Sequence, residues 1–234
     1  MIKARNNAKS PMYESHHQTP HPRQNQLLAT LPDAEWARWE SSMELVELSL
    51  GQVLSESGRT SPYVYFPTTA IVSLLYMTQD GSSSEVAVVG NDGVVGISLF
   101  MGGNTTPNQA VVQSAGFGYR LRAQLVKDEV DRAGAVLHML LQYTQAMIAQ
   151  VAKTAACNRY HSIDQLMCRR LLLGLDRLPS DMLLMTQELM ANLLGVRREG
   201  VTAAALKLQQ AGIIKYSRGQ IVVLDRPRLE MGMR

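Results

Sequence analysis

Cysteine is scarce in this chain: two residues in 234, Cys157 and Cys168. A disulfide framework is therefore excluded, and so is a four-cysteine zinc or iron–sulfur site held by one chain. Both cysteines fall in helical patterns and read as free, buried thiols. No apolar run reaches the length of a membrane span, and the N-terminus lacks the apolar core of a signal peptide. A cytoplasmic location with no membrane partner is the expectation. Catalytic motifs are also missing. There is no Gly-x-Ser-x-Gly elbow, no phosphate-binding glycine loop and no metal-ligand spacing, so an enzyme is not expected. Neither a metal nor another cofactor is called for.

What is present is enough chain for two small domains, with 46% apolar and 18% charged residues, ordinary for a soluble globular protein. The net charge of +3 is unevenly divided. Residues 159–234 carry 12 Lys/Arg against 7 Asp/Glu, net +5, whereas residues 26–158 carry 7 against 12, net −5. The basic excess lies where a phosphate backbone would be met; the acidic middle is not expected to touch DNA.

The basic part holds the most informative stretch, Met185 to Asp225. Thr186 is positioned to cap a helix carrying Gln187, Glu188, Leu189, Leu193 and Leu194. Gly195 breaks it. A second helix starts near Arg197 and buries Val201, Ala204, Ala205 and Leu208, at offsets of about three, four and seven. Arg197, Arg198, Glu199 and Thr202 are left projecting from its first turns. Gly212 ends this helix, and two short strands, 213–216 and 220–224, flank the turn Ser217-Arg218-Gly219. Helix, turn, helix and hairpin make a winged helix.

Upstream, residues 48–125 show short strands over 53–54, 63–66, 71–76, 84–89, 110–112 and 116–121. They are separated by Pro67, Asp80-Gly81, the Gly90–Gly93 turn and Gly102-Gly103-Asn104, which argues a roll or barrel. Residues 25–47 read as short helices in which Trp36 and Trp39 share a face. A short helix and then a long one follow to Asn158. The long one has an apolar stripe of Val136, Leu140, Tyr143, Met147, Ile148 and Val151, read as a two-stranded seam; a helix packed in the core of its own chain is the alternative. Ser162 caps a further helix bearing Ile163, Leu166, Met167, Leu171 and Leu175, so the hinge falls at about 158–162. Residues 1–25, with His16, His17, His21 and several prolines, read as a disordered tail.

These residues resemble the CRP/FNR superfamily of bacterial transcription regulators. The matching pieces are Gln187-Glu188-Leu189, Gly195-Val196, the Arg198-Glu199 pair before Val201, and the wing with its glycine turn. The resemblance covers roughly residues 26–225 and implies an α+β chain. Its parts would be a tail (1–25), a jelly-roll-like, cyclic-nucleotide-binding-type β-roll (26–132), a dimerisation helix (133–158) and a winged helix-turn-helix domain (159–234). It implies a homodimeric transcription regulator on palindromic double-stranded DNA, with RNA polymerase as a further partner. Arg197, Arg198, Glu199 and Thr202 would read bases; Thr186, Gln187, Lys215, Ser217 and Arg218 would hold phosphates. Where some relatives place another arginine, four positions after the glutamate, this chain has Ala203, so no base sequence is inherited.

The effector pocket departs from the family pattern. Relatives that bind cyclic AMP carry Gly-Glu-Leu and then Arg-Ser; here the corresponding positions are Gly96-Ile97-Ser98 and Asn108-Gln109. A cyclic phosphate buried without its arginine would cost several kcal/mol, so the usual cyclic-AMP control is not expected. Gly96, Ser98, Asn108 and Gln109 are the candidate lining for an unidentified small-molecule effector. Arg120 and Arg122 read as solvated strand-end charges, and His138 and His161 as structural residues instead of haem ligands. The rival function is a ligand-sensing signalling module whose winged helix contacts proteins.

Overall fold

The computed structural model describes residues 19–78, 83–103, 105–178 and 181–233. The tail histidines His16 and His17, the turn at Asp80-Gly81, Asn104 and Pro179-Ser180 lie outside the described residues.

Among the described residues the first α-helices are two short ones, α1 (Gln26–Ala29) and α2 (Asp33–Trp39). The roll follows: β1 (Glu44–Leu48), β2 (Val53–Ser55), β3 (Tyr63–Pro67), β4 (Ile71–Met77), β5 (Ser83–Val89), β6 (Asn108–Ser114) and β7 (Gly116–Arg122). They form two antiparallel sheets, ordered β1-β7-β3 and β2-β6-β4-β5. Alternating burial along the strands puts Val64, Phe66, Val72, Val89, Val112 and Leu121 into one core, which Leu28, Trp36 and Trp39 close from below. Burying side chains of this size contributes about 1.5–3 kcal/mol each.

Among the described residues of the roll seven strands stand where the chain shows six, because β1 lies in a stretch read as short helices. Only Leu48 of β1 is fully buried and Leu45 is exposed, so its period-two pattern is faint; pairing along β7 from Glu44↔Arg120 to Leu48↔Gly116 makes it a strand. The tail reading also needs correction at its end. Asn25 is buried, its amide donating to the Pro67 and Gly93 carbonyls while its side-chain oxygen caps α1. Nearby, the Tyr119 hydroxyl donates to Pro20 O.

Helix α3 (Ala123–Asp131) leads to the 26-residue α4 (Ala135–Tyr160). Val136, Leu140, Tyr143 and Met147 of its apolar stripe pack into the roll core of the same chain. These four side chains therefore face their own chain. A different face, with Leu141, Ile148 and Val151 exposed beside Ala152 and Ala155, is left uncovered. The helix has two apolar faces, and a count of spacings merges them.

The C-terminal part comprises α5 (Ile163–Leu175), β8 (Met182–Leu184), α6 (Gln187–Leu194), α7 (Arg198–Gln210), β9 (Ile214–Ser217), β10 (Gln220–Val223) and α8 (Arg226–Gly232). Ser162 and Gln165 form a reciprocal capping box at the start of α5. Both cysteines are free and buried. Burial pushes the Cys168 thiol up to about 11, so it stays protonated and unreactive at neutral pH. Strand β8, outside the expected hairpin, adds a third strand to the wing in the order β8-β10-β9.

Among the described residues no helix is long and apolar enough to cross a membrane, and no group of three His, Cys, Asp or Glu is placed to hold a metal ion.

Candidate nucleic-acid interface and roll cavity

Thr186 adopts an extended backbone and its hydroxyl accepts the Leu189 N–H at 3.1 Å, which starts α6. Gly195 stops α6 in the left-handed region at φ 65°, where a side chain would be strained. The Val196 N–H returns to Ala191 O. These two ends set the angle at which α7 leaves. Val201, Ala204, Ala205 and Leu208 bury one face of α7 against α5 and α6. Arg197, Arg198, Glu199 and Thr202 stand exposed at its start.

That start has no side-chain cap. Its free N–H groups and the positive end of the helix dipole face outward, which favours an approaching anion. Arg198 lies 4.0 Å from Glu188, with both side chains 64% exposed. A contact so long and so wet contributes almost nothing and leaves the guanidinium available. Thr202 is more constrained: its hydroxyl lies 2.8 Å from Gln187 Oε1 and 3.0 Å from Arg198 O. Gln187 and Thr202 thus brace α6 against α7 in this state, besides facing outward.

The wing closes on the same place. Its turn puts two residues at positive φ, Arg218 at 50° and Gly219 at 77°, the pattern of a two-residue hairpin matched to strand twist. The Met185 N–H donates to Gly219 O at 2.7 Å, and a methyl on Gly219 would come within 3.3 Å of the Thr186 side chain. Thr186 and the wing tip are therefore neighbours, with Ser217 and Arg218 exposed beside them. Lys215 is exposed on β9.

Tyr216, absent from the sequence-based set, anchors this corner. Its hydroxyl donates to Met185 O at 2.7 Å, and its N–H donates to Gln209 Oε1 at 2.9 Å. Desolvation pushes the phenol up to about 12, with the Arg198 charge pulling the other way. Its β-strand character is visible in the chain, but nothing there pairs it with Met185.

The roll holds a separate cavity of about 380 Å³ between the β2-β6-β4-β5 sheet and α4. Gly96, Ser98 and Asn108 line it, with Leu74, Met147 and Ile148 among the apolar walls. Gln109 does not: it follows Asn108 on β6, points to the opposite face and donates to Glu56 at 2.7 Å. Among the described residues that line it there is no Arg, Lys, Asp or Glu. Arg120 is engaged elsewhere, pairing with Glu44 at 2.7 Å and stacking 4.3 Å from the Tyr63 ring centroid; Arg122 is exposed at the end of β7.

Residues 167–231 match the family model of the Crp-like helix-turn-helix domain. The chain superposes on a protein from Eubacterium rectale ATCC 33656 assigned to the CRP/FNR family with a TM-score of 0.71 and 18% identity, covering 91% of this chain and 99% of that one. FixK2 from Bradyrhizobium japonicum follows at 0.67 and 18%, covering 81% and 96%. A CRP/FNR-family transcriptional regulator from Thermus thermophilus gives 0.63 and 22%, covering 81% and 98%. The chain has the CRP/FNR regulator fold, with a Crp-like helix-turn-helix domain at its C-terminal end. No curated protein sequence matches it. The matched stretch runs from α5 through the helix-turn-helix and its wing into α8, and the Thermus protein is described as a transcriptional regulator.

Proposed function

We propose that this chain is a homodimeric, sequence-specific regulator of transcription that reads a palindromic duplex. The observation that carries the reading is the exposed quartet Arg197, Arg198, Glu199 and Thr202 on a helix whose opposite face is locked in the domain core. In a major groove, Arg198 supplies two parallel donors for guanine O6 and N7, and Glu199 accepts from cytosine N4. Arg197 and Thr202 read the flanking positions. Thr186, Gln187, Lys215, Ser217 and Arg218 contact phosphates and set the register without carrying sequence information.

The uncovered face of α4 is the dimer seam. Leu141, Ile148 and Ala155 repeat every seven residues, a spacing that keeps one stripe facing a partner helix. Two copies related by a twofold axis present two α7 helices to half-sites about one helical turn apart. RNA polymerase is the downstream partner this reading assigns, and the cytoplasm its place of action.

Control by cyclic AMP in the usual manner does not fit the cavity. Among the described residues its lining offers no cation for a cyclic phosphate and no carboxylate for a ribose. Any effector taken there is of another chemical kind.

The test is selection of duplexes from a random pool by the purified protein, followed by binding of the selected site as salt is varied. A palindrome with a steep negative salt slope is expected. Failure to enrich any sequence, together with no binding to duplex at low salt, would leave the winged helix as a protein-contact module.

A further inference from the structure

Helix α5 and the turn that follows it bury three arginines, Arg169, Arg170 and Arg177. Two are matched by carboxylates of the roll: Arg170 by Glu85 and Arg177 by Asp92. Arg169 is not. Its exposure is 9%, and its one hydrogen-bond partner among the described residues is the neutral Thr154 hydroxyl, at 3.1 Å. That hydroxyl itself donates to Gln150 O. The remaining guanidinium nitrogens of Arg169 are not sealed in the interior, since none is among the buried groups lacking a partner. They open on a cleft of about 520 Å³ between α4, α5 and α8.

A second cation, Lys153, stands on the α4 wall of this cleft with no carboxylate within ion-pair distance among the described residues. The acids of the cleft do not supply the missing charge. Asp176 and Glu230 both hold Arg226, at 2.5 and 2.9 Å. The Gln150 side chain is also occupied, since its oxygen accepts from the Val88 N–H and its amide donates to Val88 O. Four cations line the concavity; Arg177 and Arg226 are paired with carboxylates, which leaves Arg169 and Lys153 unmatched above a floor of Ala146, Ala149, Leu172 and Met233. Largely burying a guanidinium without a counter-charge is unfavourable, and an anion in the cleft would offset that penalty.

We propose that the α4–α5–α8 cleft binds a small organic phosphate, with Arg169 and Lys153 on the phosphoryl group and the apolar floor under the organic part. A phosphoryl dianion matches two cations, and its oxygens suit a guanidinium fork. An orthophosphate alone would leave most of the cleft empty. The site lies on a different face of α4 from Leu141 and Ile148, and none of Arg197, Arg198, Glu199 and Thr202 lines it. It therefore stands independently of the dimer and DNA readings.

The test titrates full-length protein with phenyl phosphate at constant ionic strength set by sodium chloride, read by calorimetry. Succinate serves as the carboxylate comparison. Saturable binding of one phenyl phosphate per chain is expected, weakened at least tenfold in Lys153→Met and in Arg169→Met and unchanged in Arg198→Ala. Lys153 is exposed on a helix, so its variant folds even where the Arg169 variant does not. Unchanged binding in Lys153→Met, loss in Arg198→Ala, equal binding of succinate, or no saturable binding at all would each overturn the proposal.

Discussion

Arg170 of α5 lies against Glu85 of β5 with Nε 3.0 Å from the carboxylate, the two side chains exposed by 3% and 7%. This pair joins the helix-turn-helix domain to the roll. The carboxylate also accepts from the Ser73 hydroxyl, and Arg170 donates to Gln113 on β6. Its Nε and Nη1 lack a well-aligned hydrogen-bond acceptor, and desolvation lowers the arginine below its ordinary range despite the neighbouring carboxylate. The geometry therefore holds the domains in register at a cost in free energy.

Removing one partner should be far worse than removing both. Glu85→Ala strands a buried cation and is expected to lower stability by about 3–5 kcal/mol, while Glu85→Leu with Arg170→Met is expected to be near neutral. Urea unfolding of the three proteins checks this; equal losses in the single and double variants would show that the pair is not desolvated.

At the start of α7, Arg198→Ala is expected to weaken the selected palindrome by about 1–3 kcal/mol and relax one base position, with little change on random duplex. Fluorescence anisotropy on both duplexes measures it. Equal loss on the two would make Arg198 a phosphate contact only.

The wing turn offers a separation of stability from affinity. Arg218 sits at positive φ, which costs a non-glycine residue about 1–2 kcal/mol. Arg218→Gly should therefore leave the melting temperature unchanged or raised, because the flexible unfolded chain offsets part of the gain. It should also flatten the salt slope by about one unit per contact removed. A lower melting temperature with an unchanged slope would contradict both halves.

Much of this architecture is legible in the chain. Strand alternation over 53–121 exposes six of the seven roll strands, and Thr186, Gly195 and Gly212 mark the helix ends where the structure has them. The remainder is hidden for physical reasons. Leu45 and Val46 of β1 carry little burial pattern because pairing with β7, and not packing, makes the strand. The α4 periodicity announces a buried face without saying which body it meets, so Val136 to Met147 mimic the seam that we propose for the exposed Leu141 and Ile148. Gln109 resembles a pocket residue only through its neighbour Asn108, since adjacent strand residues face opposite ways. Tyr216 and the Arg170–Glu85 pair depend on contacts between residues far apart in the chain, which no local pattern encodes.

Tyr216 gives a pH signature. Its folded-state pKa is raised from 10 to about 12, so the stability this contributes is fully present below pH 10. It is lost as pH rises from 10 towards 12. Tyr216→Phe should lose about 1 kcal/mol at neutral pH, for the missing bond to Met185 O, and show a smaller decline over that alkaline window. Thermal unfolding at pH 8, 10 and 11 follows it; parallel profiles would show that the phenol is solvated.

The central claim is that two copies, joined along α4, present two α7 tips to one duplex. The most direct measurement is analytical ultracentrifugation of the protein with its selected palindrome, alongside Ile148→Glu, which places a charge in the seam. The account predicts two chains per palindrome for the unaltered protein, and a monomeric variant that binds the palindrome no better than a half-site. One chain per duplex, or an Ile148→Glu protein that still binds as a pair with full affinity, would contradict it.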